Sequence, residues 1–556
     1  VKKTLKFIAI LAVVYLVVRI SPVLTFHPER NPRPLPPSYK KGAFHIHSLF
    51  SDGRGSIDEI AAGAARCGLD FIILTDHGRP NLPASASTQW LDETLIIGAS
   101  EFSLNGGHMV AAGYRVPDYI FPPEPQEAID EVNRDGGVTF ISHPLDRKIP
   151  WTDWSATRFS GIEVLSAYTS ARNNPLQTLL VFPWQYLFNP DCAITDLFRY
   201  PERELAIWDR LNRGGAYSGI YALDAHAKLQ ISRGLRFRFP SYAAMFRILA
   251  IYAKVDGEFS PSAPESASKV VSALKKGNFF NVIESLAPAN GFENHYKPRS
   301  GPVAEMGGSS DLYPGDLVLK LPFPFPTDIV VKKDGNAFQK IVRNSRSEVR
   351  IAISQPGVYR SEIFLSRSRF ARLPWILANP FFIGCGPRSP EPSPAPPDPS
   401  FPLPEKEFQI EKNRASQAAA SAESEGNGKP GTVLDFTLNR DSPETVDFWV
   451  ALALRKPINL TRYRGLVFDS RGDSRMRMWA QFRTRSHRGE DAYQLSFPVD
   501  RDWTRIALPF SRFHHLFGND DTMHLSDANA VFFIIDSNNA LTGKKGKIWL
   551  RDIGLY

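Results

Sequence analysis

The stretch Ala43–Gly53, AFHIHSLFSDG, sets two histidines one residue apart on a short apolar strand and follows them with an aspartate in a turn. Side chains alternate along a strand with period two, so His45 and His47 share a face at its end, and Asp52 comes round in the Asp-Gly turn. Taken alone, the stretch equally suits a partly exposed strand running into a turn. What separates the two readings is whether the chain repeats the pattern.

Strand-like runs recur at 43–47, 71–75, 95–99, 108–112, 138–142, 161–165 and 218–223. Amphipathic helical stretches lie between several of them, such as SIDEIAAGAARCG, with a Ser cap and a closing Gly, and EPQEAIDEVNRDGG; ERELAIWDRLNRGG and ESASKVVSALKKG repeat the pattern. Such alternation predicts a mainly parallel sheet, and seven strands suffice to close a β/α barrel, whose functional groups gather at the C-terminal strand ends. The polar residues follow that rule. Asp76 and His77 end the second strand, Glu101 follows the third, His108 opens the fourth, His143 ends the fifth, and Asp224 and His226 end the seventh. Six of the twelve histidines thus fall between 45 and 226, each at a strand edge. Singly, each suits a structural histidine. Together they form a ring of imidazoles and carboxylates, the ligand set of zinc, manganese or iron without thiolate.

The motifs HIHSLFSDG, LTDHG, GASEFS with the downstream GGHMVAAG, ISHP and YALDAH resemble those of the polymerase and histidinol phosphatase (PHP) family of metal-dependent phosphoesterases, over residues 40–295. The resemblance implies a distorted seven-stranded, TIM-like β/α barrel holding two or three divalent ions. It implies that His45, His47, Glu101 and Asp224 hold one ion, and that Glu101 bridges to a second completed by His108 and His143. Asp52, His77 and His226 would hold a third. Asp76 is expected to be a structural partner of this set and not a ligand. The chemistry implied is hydrolysis of a phosphate ester by in-line attack of a metal-bridging hydroxide, with Glu101, Asp224 and His226 nearest the reaction. Arg79, Arg147 and Lys148 are candidate phosphate binders, although each also suits an ordinary solvated loop. Two other classes stay open: a metallohydrolase of the amidohydrolase type acting on a non-phosphate bond, and a non-catalytic protein whose metals order a binding pocket.

Length, charge and cysteines bound the rest. At 556 residues the chain exceeds one hydrophobic core and suits three or four domains of about 150 residues. Its net charge of +8 is spread along the chain, which argues against a dedicated nucleic-acid-binding region. Cys67, Cys192 and Cys385 form no CxxC pair, so neither a disulfide framework nor a thiolate zinc site is indicated. Residues 1–26 read as a signal-anchor: Lys2, Lys3 and Lys6 precede an apolar run from Phe7 to Val18 that resumes after Arg19. Twelve residues match a signal-peptide core better than a span of about 20, yet no small-x-small cleavage site follows. An uncleaved membrane anchor with the bulk exported is favoured over a secreted, cleaved form, and a buried N-terminal helix is the remaining alternative.

Beyond the barrel the texture changes. Residues 175–200, dense in aromatic and aliphatic groups, suit a lid, a membrane-surface patch or added core, with core favoured; FPSYAAMFRILAIYAKV (239–255) reads as one amphipathic helix. Residues 303–385 alternate like a small Ig-like β-sandwich, 386–430 read as a flexible linker, and 431–556 as a jelly-roll sandwich. The last segment resembles galactose-binding-like domains of the kind that include carbohydrate-binding modules. That resemblance would let Trp479, Gln481 and Arg483, on one strand face, meet a sugar or an envelope partner; half-buried sandwich positions are the competing reading.

Overall fold

A computed structural model describes residues 14, 18, 21–31, 33–230, 236–237, 239–322, 325–386, 395–424, 430–486, 489–518 and 523–556. Most of the predicted N-terminal anchor, and residues 387–394 and 425–429 of the predicted linker, lie outside that set. Among the described residues no helix is long and apolar enough to cross a membrane. The chain divides into two compact units, one of residues Val1–Val116 and Pro123–Pro390, the other of Pro117–Pro122 and Glu391–Tyr556.

The first unit is a mixed α/β structure built on seven strands: β1 (Tyr39–Ile46), β2 (Phe71–Leu74), β3 (Thr94–Leu104), β4 (Gly107–Ala112), β5 (Val138–Ile141), β6 (Gly161–Ser166) and β7 (Ser218–Ala222). Each pairs with the next in chain order. The two ends of the run meet where Leu223 and Ala225 donate to the carbonyls of Phe44 and His45, and His47 N–H donates to Ala225. Helix α1 (Ile57–Arg66) joins β1 to β2 and opens with a full capping box, Ser56 with Glu59. One buried cluster gathers Phe44, Phe71, Ile73, Leu95, Ile97, Val110, Phe140 and Ile220 with Val270 and Leu274 of the helix Ala263–Lys275. The strand residues among them alternate along β1–β5 and β7 and so share one face of the sheet.

The mainly parallel expectation fails at β4, which runs antiparallel to both β3 and β5. Leu104 pairs with Gly107 across Asn105-Gly106, and a two-residue Asn-Gly turn joins only antiparallel strands. Nor is 239–255 one helix. A single turn, Tyr242–Phe246, is followed by the strand Leu249–Lys254, which lies antiparallel between the first half of β1 and the strand Phe279–Ile283. Its residues are buried on both faces, which leaves no polar alternation to distinguish it from a buried helix.

The segment expected to form a separate small sandwich is continuous with the first unit. Ile376–Ala378 pairs with Phe279–Ile283 and with Gly357–Leu365, extending the same sheet, while a second sheet is made of Glu293–Pro298, Ala304–Glu305, Gly315–Lys320 and Glu348–Ile353. The β layer therefore begins at Glu293, inside the range first given to the barrel.

The second unit is a two-sheet antiparallel sandwich of six strands each, closed around Leu434, Phe436, Leu452, Phe468, Phe482, Phe497 and Phe533. Besides the short Phe401–Pro402, two of its strands, Gln409–Lys412 and Gln417–Ser424, fall in the stretch expected to be a flexible linker. Both are edge strands. Their backbones satisfy a ladder while few side chains are buried, so a low count of bulky apolar residues is what such strands carry.

Candidate metal centre

The C-terminal ends of the parallel strands and the loops after them, together with the start of the antiparallel β4, bring all nine candidate ligands into one cluster. His45 Nε2 lies 3.0 Å from His47 Nε2, 3.3 Å from Glu101 Oε2 and 3.5 Å from Asp224 Oδ1, and His47 Nε2 lies 3.4 Å from each of those oxygens. Ligands about 2.1 Å from one tetrahedral ion stand about 3.4 Å apart, so the two imidazoles have, with each other and with each of these oxygens, the spacing of neighbours in one coordination shell. The other oxygen of Glu101, Oε1, faces His108 Nδ1 at 3.3 Å and His143 Nε2 at 3.1 Å. Asp52 Oδ1 faces His226 Nε2 at 3.0 Å and His77 Nε2 at 3.6 Å. His77 also turns Nδ1 to within 3.1 Å of Glu101 Oε2, which links the last group to the first.

Local backbone explains the convergence. His45 has φ 69°, His143 φ 29° and Asp224 φ 50°, left-handed conformations that cost about 1–3 kcal/mol each for non-glycine residues and gather at functional sites. At His45 this breaks the ladder register between Ala43 and Ile46, so His45 and His47 meet through a bulge and not through simple alternation. The turn behind Asp52 needs Gly53, since a Cβ there would stand 2.3 Å from the His47 carbonyl oxygen. Asp76 is fully buried and clamps that loop, accepting from Ser48 N–H (2.8 Å), Ser48 Oγ (2.7 Å) and Ser51 Oγ (2.6 Å).

The electrostatics are those of an anionic cage filled with imidazoles. Burial would raise the pKa of Glu101, but His45, His108 and His143 hold it well below the carboxylate range. Asp224 is likewise held low against its burial by His45, His226 and His47. Burial lowers His47 to about 4, helped by His226. It would also lower His143, but Glu101 outweighs it and raises that ring to about 9. The Nδ1 atom of His47 is buried without a hydrogen-bond partner, and those of His77 and His108 face Glu101 oxygens without hydrogen-bond geometry. Such orphaned atoms are costly, and a cation removes the cost for a neutral imidazole while balancing the carboxylates. The residues present therefore fit divalent ions. Thiolate-free N/O donors of this kind suit zinc, manganese or iron alike.

Several contributors were not singled out in the sequence. Glu163, in the middle of β6, accepts from His45 Nδ1 at 2.5 Å and from His143 N–H at 2.7 Å. Its signal was a lone acid inside the apolar run GIEVLS. Lys228 Nζ sits 2.9 Å from Asp52 Oδ2, and the Tyr168 ring packs against both His226 and the Arg172 guanidinium. Arg147 and Lys148 are exposed, whereas burial lowers the pKa of the partly buried Arg79. In the second unit Trp479, Gln481 and Arg483 do share a strand face, but Trp479 and Gln481 are each 2% exposed. Trp479 donates to Asp536, and Arg483 is tied to Gln481 and Glu490.

No protein-family model and no curated protein matches the chain. Among solved structures it is similar to a two-domain protein from Bacteroides vulgatus containing a predicted PHP-like metal-dependent phosphoesterase, with 15% identity and a TM-score of 0.30 over 65% of this chain and 99% of that one. It is also similar to a family 11 carbohydrate-binding module from Clostridium thermocellum in complex with a mixed-linked tetrasaccharide, with 16% identity and a TM-score of 0.24 over 29% of this chain and 96% of that one. A family 30 carbohydrate-binding module from the same organism gives 15% identity and a TM-score of 0.22 over 29% and 94%.

Proposed function

We propose that the first unit is a metal-dependent hydrolase of phosphate esters, built as a distorted seven-stranded β/α barrel around up to three divalent ions. The observation that supports this most is Glu101: 1% exposed, with one oxygen facing His45, His47 and His77 and the other facing His108 and His143. Divalent ions in such a cage lower the pKa of water toward neutrality and polarise phosphoryl oxygens. The chain's own residues set the direction of approach. His45 and His47 are fully buried, while the side chains of Asp52 and His77 are 39% and 31% exposed. Substrate therefore enters past Asp52 and His77. Lys228, held on Asp52, stands at that mouth and would bind a phosphoryl oxygen or meet the leaving group.

The N-terminal segment is proposed to anchor this unit to a membrane with the bulk exported, on the strength of its lysines and apolar run. For the second unit the proposed partner is a carbohydrate or envelope polymer, supported by its sandwich architecture and its exposed strand edges.

The test is a screen of the metal-loaded full chain against phosphomonoesters, phosphodiesters and a set of amide and lactone substrates. Turnover of a phosphate ester that disappears on chelation and returns with metal is expected. Turnover confined to the amides or lactones would replace the reading with an amidohydrolase one.

A further inference from the structure

Two short helices in the segment 175–200, α2 (Pro175–Leu180) and α3 (Phe182–Phe188), are turned inside out. Leu176, Leu179, Leu180, Trp184, Leu187 and Phe188 are 74, 72, 63, 52, 74 and 56% exposed. These positions recur at helical spacing and make one outward stripe. The polar residues between them face inward. Gln177 donates to the Asp196 carbonyl at 2.8 Å and to its carboxylate at 3.0 Å, the fully buried Gln185 donates to the same carboxylate at 3.2 Å, and Thr178 donates to the Ala171 carbonyl at 2.8 Å. A helix in water packs the other way round, with its apolar stripe on the core. Six large apolar side chains on thirteen residues form a patch that a water-facing surface rarely carries. The expectation that residues 175–200 add to the core therefore holds for Val181, Phe182 and the stretch Cys192–Phe198 and fails for the outward residues of α2 and α3.

What lies beside the patch identifies its occupant. Asn189, directly after α3, donates through Nδ2 to the Val23 carbonyl (3.3 Å) and the Phe26 carbonyl (3.0 Å), and the Phe26 ring packs on Phe370 with centroids 5.3 Å apart. These contacts fix the point at which the lysine-flanked apolar run reaches the folded unit, immediately after Phe188. Val14, Val18 and Leu24 in that approach are also 52, 61 and 55% exposed. The exposed Leu24, between the two carbonyls that Asn189 holds, thus stands at the end of the outward stripe of α2 and α3.

We propose that α2 and α3 lie in the interfacial layer of a lipid bilayer, beside the N-terminal segment, and hold the first unit against the membrane. Short helices with an apolar face, Leu-rich and carrying a Trp, have the composition of such interfacial contacts. The inference rests on the reading of residues 1–26 as a membrane anchor.

The test uses the full chain reconstituted with phosphatidylcholine–phosphatidylglycerol vesicles, some carrying brominated acyl chains that quench nearby tryptophan. The parent is expected to float with the vesicles and to show bromolipid quenching that Trp184→Phe abolishes. A Leu176→Gln, Leu179→Gln, Leu187→Gln variant should still float through its N-terminal segment while the Trp184 quenching falls several-fold. Flotation with quenching unchanged by Trp184→Phe would overturn the interfacial contact and leave the anchor standing. Failure to float would overturn both. Protection of Trp184 from aqueous iodide that rises with protein concentration in the absence of vesicles would assign the patch to a second copy of the chain instead.

Discussion

At the scale of single residues, the centre depends on groups that touch no ion. Glu163 is buried in β6 with one oxygen on His45 and the other on the His143 backbone, so it fixes which ring nitrogen of His45 points into the cage. Such partners commonly carry 10–100-fold in metal affinity. Glu163→Gln should lower metal affinity by about that factor, read by competition with a chromophoric chelator, while circular dichroism stays that of the parent. Asp146 does comparable work outside the cage. Burial would raise its pKa, but the N–H groups of Lys148 and Ile149 and the Arg172 guanidinium at 2.9 Å hold it below the ordinary value. A carboxylate with a depressed folded pKa contributes stability above its unfolded pKa of about 3.9 and loses it as pH falls through the folded value. The Tm gap between the parent and Asp146→Asn should therefore be full at neutral pH and close as the solution is taken below about pH 4.

At the scale of elements, the β layer and the strand ring are held as one body. Arg360, 2% exposed on Gly357–Leu365, makes a two-point contact with Asp209 of the helix Glu202–Leu211 at 2.6 and 2.8 Å. It also bonds Glu362, which accepts from Tyr200 Oη, and it lies over the Trp208 ring. Arg360→Met would leave two carboxylates without their cation. Breaking a buried pair costs about 3–5 kcal/mol, and because the sheet runs unbroken through Ile376–Ala378, the loss should lower the stability of the whole first unit in denaturant unfolding. A fall confined to residues beyond Glu293, detected by hydrogen exchange, would mean the two layers unfold separately.

The elements also show where sequence reasoning reached and where it stopped. All seven ring strands and the capped helix α1 were legible, because short apolar runs bounded by turn residues and a Ser-x-x-Glu box are local signals. The strand Leu249–Lys254 was not, since a segment buried on both faces has no periodicity to read. The direction of β4 is encoded locally, in the Asn105-Gly106 turn. The nine candidate ligands were found as motif residues at strand ends. Glu163 was not, because one carboxylate inside an apolar strand declares its partner only when the fold sets His45 beside it.

For the molecule as a whole, the central claim is that nine side chains from the loops and strands of one unit exist to hold divalent ions that hydrolyse a phosphate ester. Three overlapping groups of their atoms already stand within 4.8 Å of one another: His47, Asp52, His77 and His226; His45, His47 and Asp224; His77, Glu101 and His108. Elemental analysis of the purified full chain, with phosphate-ester hydrolysis measured on the same sample, tests the claim most directly when His45→Ala and Asp224→Ala are run beside it. The account predicts two or three divalent ions per chain, and loss of both bound metal and hydrolysis in each variant. A chain that takes up no metal, or one that is fully loaded and turns over no phosphate ester, would contradict it.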